Sequence, residues 1–146
     1  MRIGKRVAID VGAVRNGMAV SDKDGILASP LATVASIEEC IDLIDDSVIE
    51  IYVGLPLNLR GVATKSTARA LKFAQALANS LSIPIRLIDE RLTTALANTQ
   101  LREVGKSQKE AKATVDQMAA VAILEFALLI ERNTGAQPGK SLEELE

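Results

Sequence analysis

The chain of 146 residues contains no histidine and no tryptophan, and it has only one tyrosine, two phenylalanines and one cysteine. Without histidine, chemistry on phosphate esters would depend on carboxylates that gather magnesium. Three aromatic rings leave little for stacking on nucleobases. The lone thiol, Cys40, cannot form an internal disulfide, and its apolar helical neighbours predict a reduced, buried and unreactive side chain.

Long hydrophobic runs are also missing. The most apolar stretch, from Met118 to Ile130, is interrupted by Glu125 and is shorter than the roughly 20 residues needed to cross a bilayer. It therefore predicts a core helix, and no interaction with a membrane is expected. No signal peptide opens the chain, which favours a cytoplasmic protein. The length fits one domain, predicted over residues 1–134, followed by a flexible acidic tail over 135–146.

The net charge of −2 is unevenly distributed. The last residues are acidic, which leaves the body of the chain neutral. Between residues 102 and 112 there is a local excess of positive charge that includes Lys106, Lys109 and Lys112. This patch could contact phosphates, or it could be the solvated face of a helix.

The hydrophobic pattern predicts an α/β protein. Alternation indicates three antiparallel strands over residues 6–12, 17–21 and 26–34. Helices are then predicted over 36–46, 66–80, 95–104 and from 107 to about 133, with strands over 49–53 and 85–88. Right-handed crossovers would place the last two strands beside the first in a mixed sheet with helices on its faces.

Carboxylates occupy the predicted carboxyl edge of this sheet. Asp10 lies within an otherwise apolar strand, where an ionised group needs a cation or a partner such as Arg15. Asp89 and Glu90 follow the fifth strand, and only one of them is expected to point inward. We predict that Glu90 points inward and that Asp89 braces a helix terminus or hydrogen-bonds the backbone, although the reverse assignment remains open. Because ligands of open α/β sheets gather at the carboxyl ends of strands, Asp10 and Glu90 should share one rim.

A further acid, Asp116, borders small apolar residues on the last helix. It could reach the sheet rim, or it could be an exposed acid paired with Lys112 one turn earlier. Near the first strand, Gly12 and Gly17 bracket Arg15, which suits either a ligand-binding turn or a plain hairpin.

A second loop at the same rim begins at Gly54 and runs through Leu-Pro-Leu to Asn58. The proline makes this loop stiff. Asn58 could hold a substrate or cap the helix that follows.

These motifs resemble those of the YqgF (RuvX) family of Holliday junction resolvases and nucleases that mature the 5′ end of pre-16S ribosomal RNA. The resemblance spans roughly residues 7–130. It rests on Asp-x-Gly-x-x-Arg-x-Gly-x-Ala from Asp10, Gly-Leu-Pro-Leu-Asn from Gly54, Asp-Glu-Arg-Leu-Thr-Thr from Asp89, and Asp116 before an alanine-rich helix. The chain departs from the usual pattern around Val14 and in the stretch after Asn58.

The resemblance implies a ribonuclease H-like fold with a five-stranded mixed sheet of order 3-2-1-4-5 and helices on both faces. It also implies that Asp10, Glu90 and Asp116 are the catalytic carboxylates and hold Mg²⁺ or Mn²⁺. Phosphates of structured RNA or branched DNA would then be held by basic and polar side chains, namely Arg15, Asn58, Arg91, Lys106, Lys109 and Lys112. Gly12, Gly17, Gly54 and Asp89 would shape the site. We expect a monomer or a weak homodimer.

Two other functions remain open at this point. Actin-like ATPases and sugar kinases also begin with Asp-x-Gly on the first strand, but they need two lobes to enclose ATP, and this chain is long enough for one. A non-catalytic RNA-binding assembly factor could use the same fold through its basic face. Among nucleases, the substrate could be precursor ribosomal RNA or a four-way DNA junction.

Overall fold

The computed structural model describes residues 1–92 and 108–145. Strands and helices alternate after an initial three-stranded meander. In chain order the elements are β1 (Lys5–Val11), β2 (Asn16–Ser21), β3 (Ala28–Val34), α1 (Ile37–Asp42), β4 (Val48–Leu55), α2 (Lys65–Ser80), β5 (Ile85–Asp89), a 3₁₀ turn (Glu90–Leu92), α3 (Gln108–Thr134), β6 (Lys140–Ser141) and a second 3₁₀ turn (Glu143–Leu145). The helix predicted over 95–104 lies outside the described residues.

The strands form one mixed sheet of order β3-β2-β1-β4-β5-β6. β1 is antiparallel to β2 and parallel to β4, and β4 is parallel to β5. This confirms the predicted order 3-2-1-4-5 and the central place of β1. Because β1, β4 and β5 run in the same direction, their carboxyl ends meet at one edge of the sheet.

The structure adds a sixth, two-residue strand to the five predicted ones, within the residues predicted to form a flexible tail over 135–146. β6 pairs antiparallel with the edge of β5, where Arg86 faces Ser141 and Leu87 faces Lys140. The Arg86 guanidinium also donates to the carbonyl oxygens of Pro138 at 2.9 Å and Gly139 at 2.7 Å. A strand of two residues is too short to show an alternating pattern, so the sequence gives no sign of it.

The core has two layers, one on each face of the sheet. Val7, Ile9 and Met18 point toward α1 and α2, with Leu77 at the centre of that layer. Ala8, Ala19 and Tyr52 point toward α3. Small residues on this second face let the long helix pack closely on β1 and β2, which places Asp116 near the sheet edge.

Two helix ends show how local chemistry sets the boundaries. Thr64 caps α2 through a reciprocal capping box with Thr67. α1 ends at Asp42, four residues earlier than predicted, because the Asp45 carboxylate binds the backbone N–H of Ser47 at 2.8 Å and favours a turn. In the described part of the chain, no helix is long and apolar enough to cross a membrane.

A charged cluster is buried at the opposite end of β1 from Asp10. Arg6 and Glu50 are completely buried, and Glu131 of α3 is 3% exposed. Arg6 donates to Glu131 at 2.8 Å, and Arg2 binds both glutamates. These contacts join the amino-terminal segment, β4 and the end of α3, and each buried charge has a partner of opposite sign.

Candidate active site

The site lies at the carboxyl edge of the central strands. Asp10 is near the end of β1, opposite Gly17 of β2, and Glu90 is the first residue after β5. The two carboxyl groups are hydrogen-bonded to each other. Asp10 and Glu90 are eighty positions apart in the sequence, and the parallel arrangement of β1, β4 and β5 brings them together.

Gly54 on β4, the strand between β1 and β5, makes room for this contact. A Cβ atom at Gly54 would lie 2.8 Å from Cδ of Glu90 and 2.7 Å from Cδ1 of Ile123. Both distances are far inside van der Waals contact. The absence of a side chain at this position therefore lets the Glu90 carboxyl group lie across β4 toward Asp10.

Burial and mutual contact shift the proton equilibria of this pair. Burial is the main cause that raises the pKa of Glu90 to about 9, and its hydrogen bond to Asp10 raises it further. Burial also raises the pKa of Asp10, with a further contribution from the negative charge of Asp116 and an opposing one from the hydrogen bond to Glu90. At neutral pH, Glu90 therefore keeps a proton and donates it to the Asp10 carboxylate.

Asp89 points away from this pair. Its carboxylate binds the Arg91 guanidinium, with Nη2 at 2.5 Å and Nε at 2.9 Å, and it accepts the Arg91 backbone N–H at 3.0 Å. These hydrogen bonds lower the pKa of Asp89. Of the two neighbouring acids, Glu90 is the one that faces Asp10, while Asp89 holds Arg91.

Asp116 on α3 approaches the site from the side. It is close enough for its charge to act on Asp10, and its carboxylate binds Nε of Arg15 in the β1–β2 turn. Gly17 allows this approach, because a Cβ atom there would lie inside the helix backbone, 2.9 Å from the nitrogen of Gln117. The described partner of Asp116 is thus Arg15, across 101 positions of sequence.

The contacts of Gly12 and Asn58 lie within their own loops. Gly12 donates its N–H to the side chain of Asn16 at 3.2 Å, and a Cβ there would collide with the Arg15 carbonyl. Asn58 does not cap α2, whose cap is Thr64. Its amide oxygen accepts the backbone N–H groups of Arg60 and Val62, both at 2.9 Å, and so closes its own loop.

Of the predicted basic patch, Lys109 and Lys112 belong to the first turns of α3, and Lys106 lies outside the described residues. A different basic segment is absent from the predicted site residues. From residue 51 to residue 88 there is no acidic side chain, and five basic ones occur there: Arg60, Lys65, Arg69, Lys72 and Arg86.

The donor chemistry of the edge fits a hard divalent cation. Carboxylate oxygens are the ligands that Mg²⁺ and Mn²⁺ prefer, and Asp10 and Glu90 bring two carboxyl groups into contact at this edge. In this conformation, no three acidic or cysteine side chains of residues 1–92 and 108–145 are close enough to hold one ion together. Asp10 and Glu90 would supply the first ligands, and Asp116 would join them once it leaves Arg15.

The strand order and the helices on both faces of the sheet define a ribonuclease H-like fold. The structure is similar to RuvC of Thermus thermophilus in complex with a Holliday junction substrate, with a TM-score of 0.59 over 92% of this chain and 99% of that chain. The sequence identity is 15%, so this likeness concerns the fold alone. The sequence also matches the RuvX family, described as Holliday junction resolvase, over residues 4–129. The chain belongs to this family.

Curated relatives support the same membership over nearly the whole chain. One from Leifsonia xyli subsp. xyli is 47% identical and covers 98% of this chain and 97% of its own length. Another from Streptomyces coelicolor is 42% identical over 98% of this chain and 90% of its own length. Both carry the name of a candidate pre-16S rRNA nuclease.

Proposed function

We propose that this protein is a metal-dependent nuclease that hydrolyses phosphodiester bonds in the 5′-end maturation of pre-16S ribosomal RNA. The observation that carries the proposal is the contact between the partly buried carboxyl groups of Asp10 and Glu90 at the edge of a ribonuclease H-like sheet. Two acids that repel each other when ionised destabilise the fold unless one of them keeps a proton or a cation is recruited. The relatives named for pre-16S rRNA support the choice of substrate.

Asp10, Glu90 and Asp116 would hold magnesium or manganese, which supplies activation of a water and neutralises charge on the phosphate and the leaving oxygen. For Glu90 to become a ligand, it must give up the proton that it shares with Asp10. Asp116 must also leave Arg15, whose guanidinium is then available to bind a substrate phosphate. The contacts of Glu90 with Asp10 and of Asp116 with Arg15 would thus be replaced by contacts with the cation and the substrate.

Arg91 is held by Asp89 beside the site, where its positive charge can help to position the nucleic acid. Recognition through charge and shape suits a chain with three aromatic residues. The proposal includes a nucleic-acid partner, a cytoplasmic location and a monomer or weak homodimer.

Holliday junction resolution is the second candidate, favoured by the description of the family. A four-way junction has two equivalent strands to cut, so a resolvase needs a two-fold dimer that presents two copies of the site. Precursor RNA requires only one. Oligomeric state on the substrate therefore distinguishes the two functions.

The decisive assay compares the wild type with Asp10→Asn on precursor 16S RNA and on a four-way DNA junction, each with magnesium and with manganese. We expect cleavage of the RNA by the wild type and a loss of at least about 100-fold in Asp10→Asn, because a metal ligand is removed. Asp46→Asn is the matched control, since this exposed acid lies just before β4, at the opposite end of that strand from the site.

Equal RNA cleavage by Asp10→Asn and the wild type would refute the proposal. Paired cleavage of the junction with no action on the RNA would favour the resolvase. RNA binding without cleavage, unaffected by Asp10→Asn, would favour an assembly factor.

A further inference from the structure

The β1–β2 turn separates two cavities. One, of about 390 Å³, is lined by Gly12, Ala13, Val14, Arg15 and Asp116 and opens beside the acidic site. The other, of about 420 Å³, lies against α1 and α2 and contains the side chains of Arg69, Lys72 and Phe73. Gly12, Ala13 and Val14 line both cavities, so the turn is a wall between them.

The second cavity is positively charged. Arg69 and Lys72 are exposed and stand one turn apart on α2, and none of the residues that line the cavity is acidic. Asp10, Glu38 and Glu39 are close to lining residues in the sequence, but none of them lines the cavity. The Glu39 carboxylate accepts the backbone N–H of Ala35 at 2.9 Å. A cavity with two cations and no acid attracts an anion.

These two cations also lack partners of their own. Within residues 1–92 and 108–145, neither Arg69 nor Lys72 makes an ion pair or a side-chain hydrogen bond. The whole of α2 carries Lys65, Arg69 and Lys72 and no acid. An ordinary solvated helix face mixes both signs, because like charges three or four residues apart repel each other and destabilise the helix.

The β1–β2 turn, which forms the wall between the cavities, carries small, exposed side chains at its tip. Ala13 and Val14 are exposed, and Val14 has 80% of its surface open to solvent. Neither side chain carries a charge that would repel phosphates. An extended nucleic-acid strand could therefore cross the turn, with one phosphodiester at the acidic edge and another part of its backbone in the second cavity.

We propose that Arg69 and Lys72 form a phosphate-binding subsite for the nucleic-acid strand on the far side of the β1–β2 turn from Asp10 and Glu90. The identity of the ligand as a nucleic acid rests on the proposed function. The subsite binds backbone phosphate without reading bases, since a guanidinium and an ammonium contact the charge of the phosphate. Single strands and duplexes share this chemistry, and the experiment below distinguishes them.

The test measures binding without cleavage. In an Asp10→Asn background, Arg69→Ala/Lys72→Ala is compared with the parent and with Lys5→Ala/Lys23→Ala. The control removes the same charge from the other end of the sheet, at the start of β1 and in the β2–β3 turn. Fluorescence anisotropy in EDTA follows a labelled single-stranded RNA and a labelled RNA duplex over a range of salt concentrations.

For two lost phosphate contacts, the slope of log K against log salt should become shallower by about 1.4 for the single strand. The affinity at low salt should fall at least about tenfold, and the control should keep the parent's slope. If only the duplex shows the loss, the subsite holds a duplex. Equal slopes and affinities for Arg69→Ala/Lys72→Ala, the control and the parent, on both probes, would overturn the proposal.

Failure of this inference and failure of the proposed function are separable. A wild type that cleaves neither RNA nor junction refutes the nuclease, yet the binding slopes still decide the role of Arg69 and Lys72. Thermal melting shows whether the Arg69→Ala/Lys72→Ala protein is folded. Removing two like charges from an acid-free helix should leave the melting temperature unchanged or raise it, so a loss of binding at an unchanged melting temperature supports the subsite.

Discussion

Glu90→Gln should stabilise the metal-free protein. At neutral pH, Glu90 must take up a proton on folding, which lowers the free energy of unfolding, and a glutamine does not. The unfolded chain releases this proton near pH 4.5, whereas the folded chain keeps it to about pH 9. Each unit of difference corresponds to about 1.4 kcal/mol, so at pH 7 the cost has an upper bound of about 3 kcal/mol. Glutamine can still donate a hydrogen bond to Asp10, and it has no proton to lose.

The sign of the pH dependence follows from the raised pKa of Glu90. Below about pH 4.5 both states of the chain hold the proton, and the advantage of the variant vanishes. From there to about pH 9 the wild type loses stability relative to Glu90→Gln, and above that the difference is constant. At neutral pH we expect the variant to gain about 1–3 kcal/mol, which raises its melting temperature by roughly 3–10 °C for a chain of this size.

The assay is thermal melting of wild type, Glu90→Gln and Asp89→Asn in EDTA and in manganese, over a pH series. Asp89→Asn is the matched control, because its pKa is lowered by Arg91 and neutralising it brings no gain. Manganese at about a hundred times its Kd should stabilise the wild type and the control by about 2.7 kcal/mol, and Glu90→Gln should lose most of this effect. A Glu90→Gln protein that melts at or below the wild type throughout this pH range would refute the shared proton. A variant with the full manganese effect would refute Glu90 as a ligand.

Three further substitutions test the contacts around this pair. Gly17→Ala should cost about 1–3 kcal/mol in urea denaturation, because its Cβ would push α3 off β2 at Asp116, and an unchanged midpoint would contradict that packing. Arg15→Gln should tighten manganese binding in calorimetry by freeing Asp116, and should weaken RNA binding; weaker binding of manganese would contradict the exchange. Glu131→Gln should cost about 3–5 kcal/mol in denaturation, because Arg6 is left buried without its carboxylate, and a loss below about 1 kcal/mol would show that the cluster is not buried in solution.

The acidic edge could be predicted because each of its two main acids can be recognised from its neighbours in the sequence. Asp10 is an acid in an apolar strand, and Glu90 directly follows a strand, so each needs only its neighbours to be noticed. The order of the strands followed from their number and spacing and from the handedness of crossovers. Parallel strands then bring the two acids to the same edge without any further information.

Contacts that depend on the exact packing of distant elements could not be predicted. Asp116 was predicted either to reach the sheet rim or to pair with Lys112, whereas in the structure it binds Arg15, 101 residues earlier in the β1–β2 turn. β6 adds two residues to an edge that no periodicity marks. The subsite at Arg69 and Lys72 is a third case, because its signal is the absence of acids over a long stretch instead of a dense run of bases.

The two charged clusters of this protein permit a comparison within one fold. Both lie at ends of the same central strands, and each includes one partly exposed arginine, Arg2 or Arg15. The cluster around Arg6 contains two arginines and two glutamates, so its formal charge is zero. Each of its residues forms an ion pair with a residue of opposite charge: Arg2, Arg6, Glu50 and Glu131.

The cluster at the opposite end is built differently. Asp10, Glu90 and Asp116 meet at this edge, where Asp116 pairs with Arg15 and the carboxyl groups of Asp10 and Glu90 are hydrogen-bonded to each other. Around Arg6 each acid contacts an arginine, whereas here two acids contact one another. Carboxyl groups this close are offset by a shared proton or by a cation, and phosphodiester hydrolysis requires such a cation next to the scissile phosphate. The contact between Asp10 and Glu90 is therefore the feature of this structure that best supports the proposed metal-dependent chemistry.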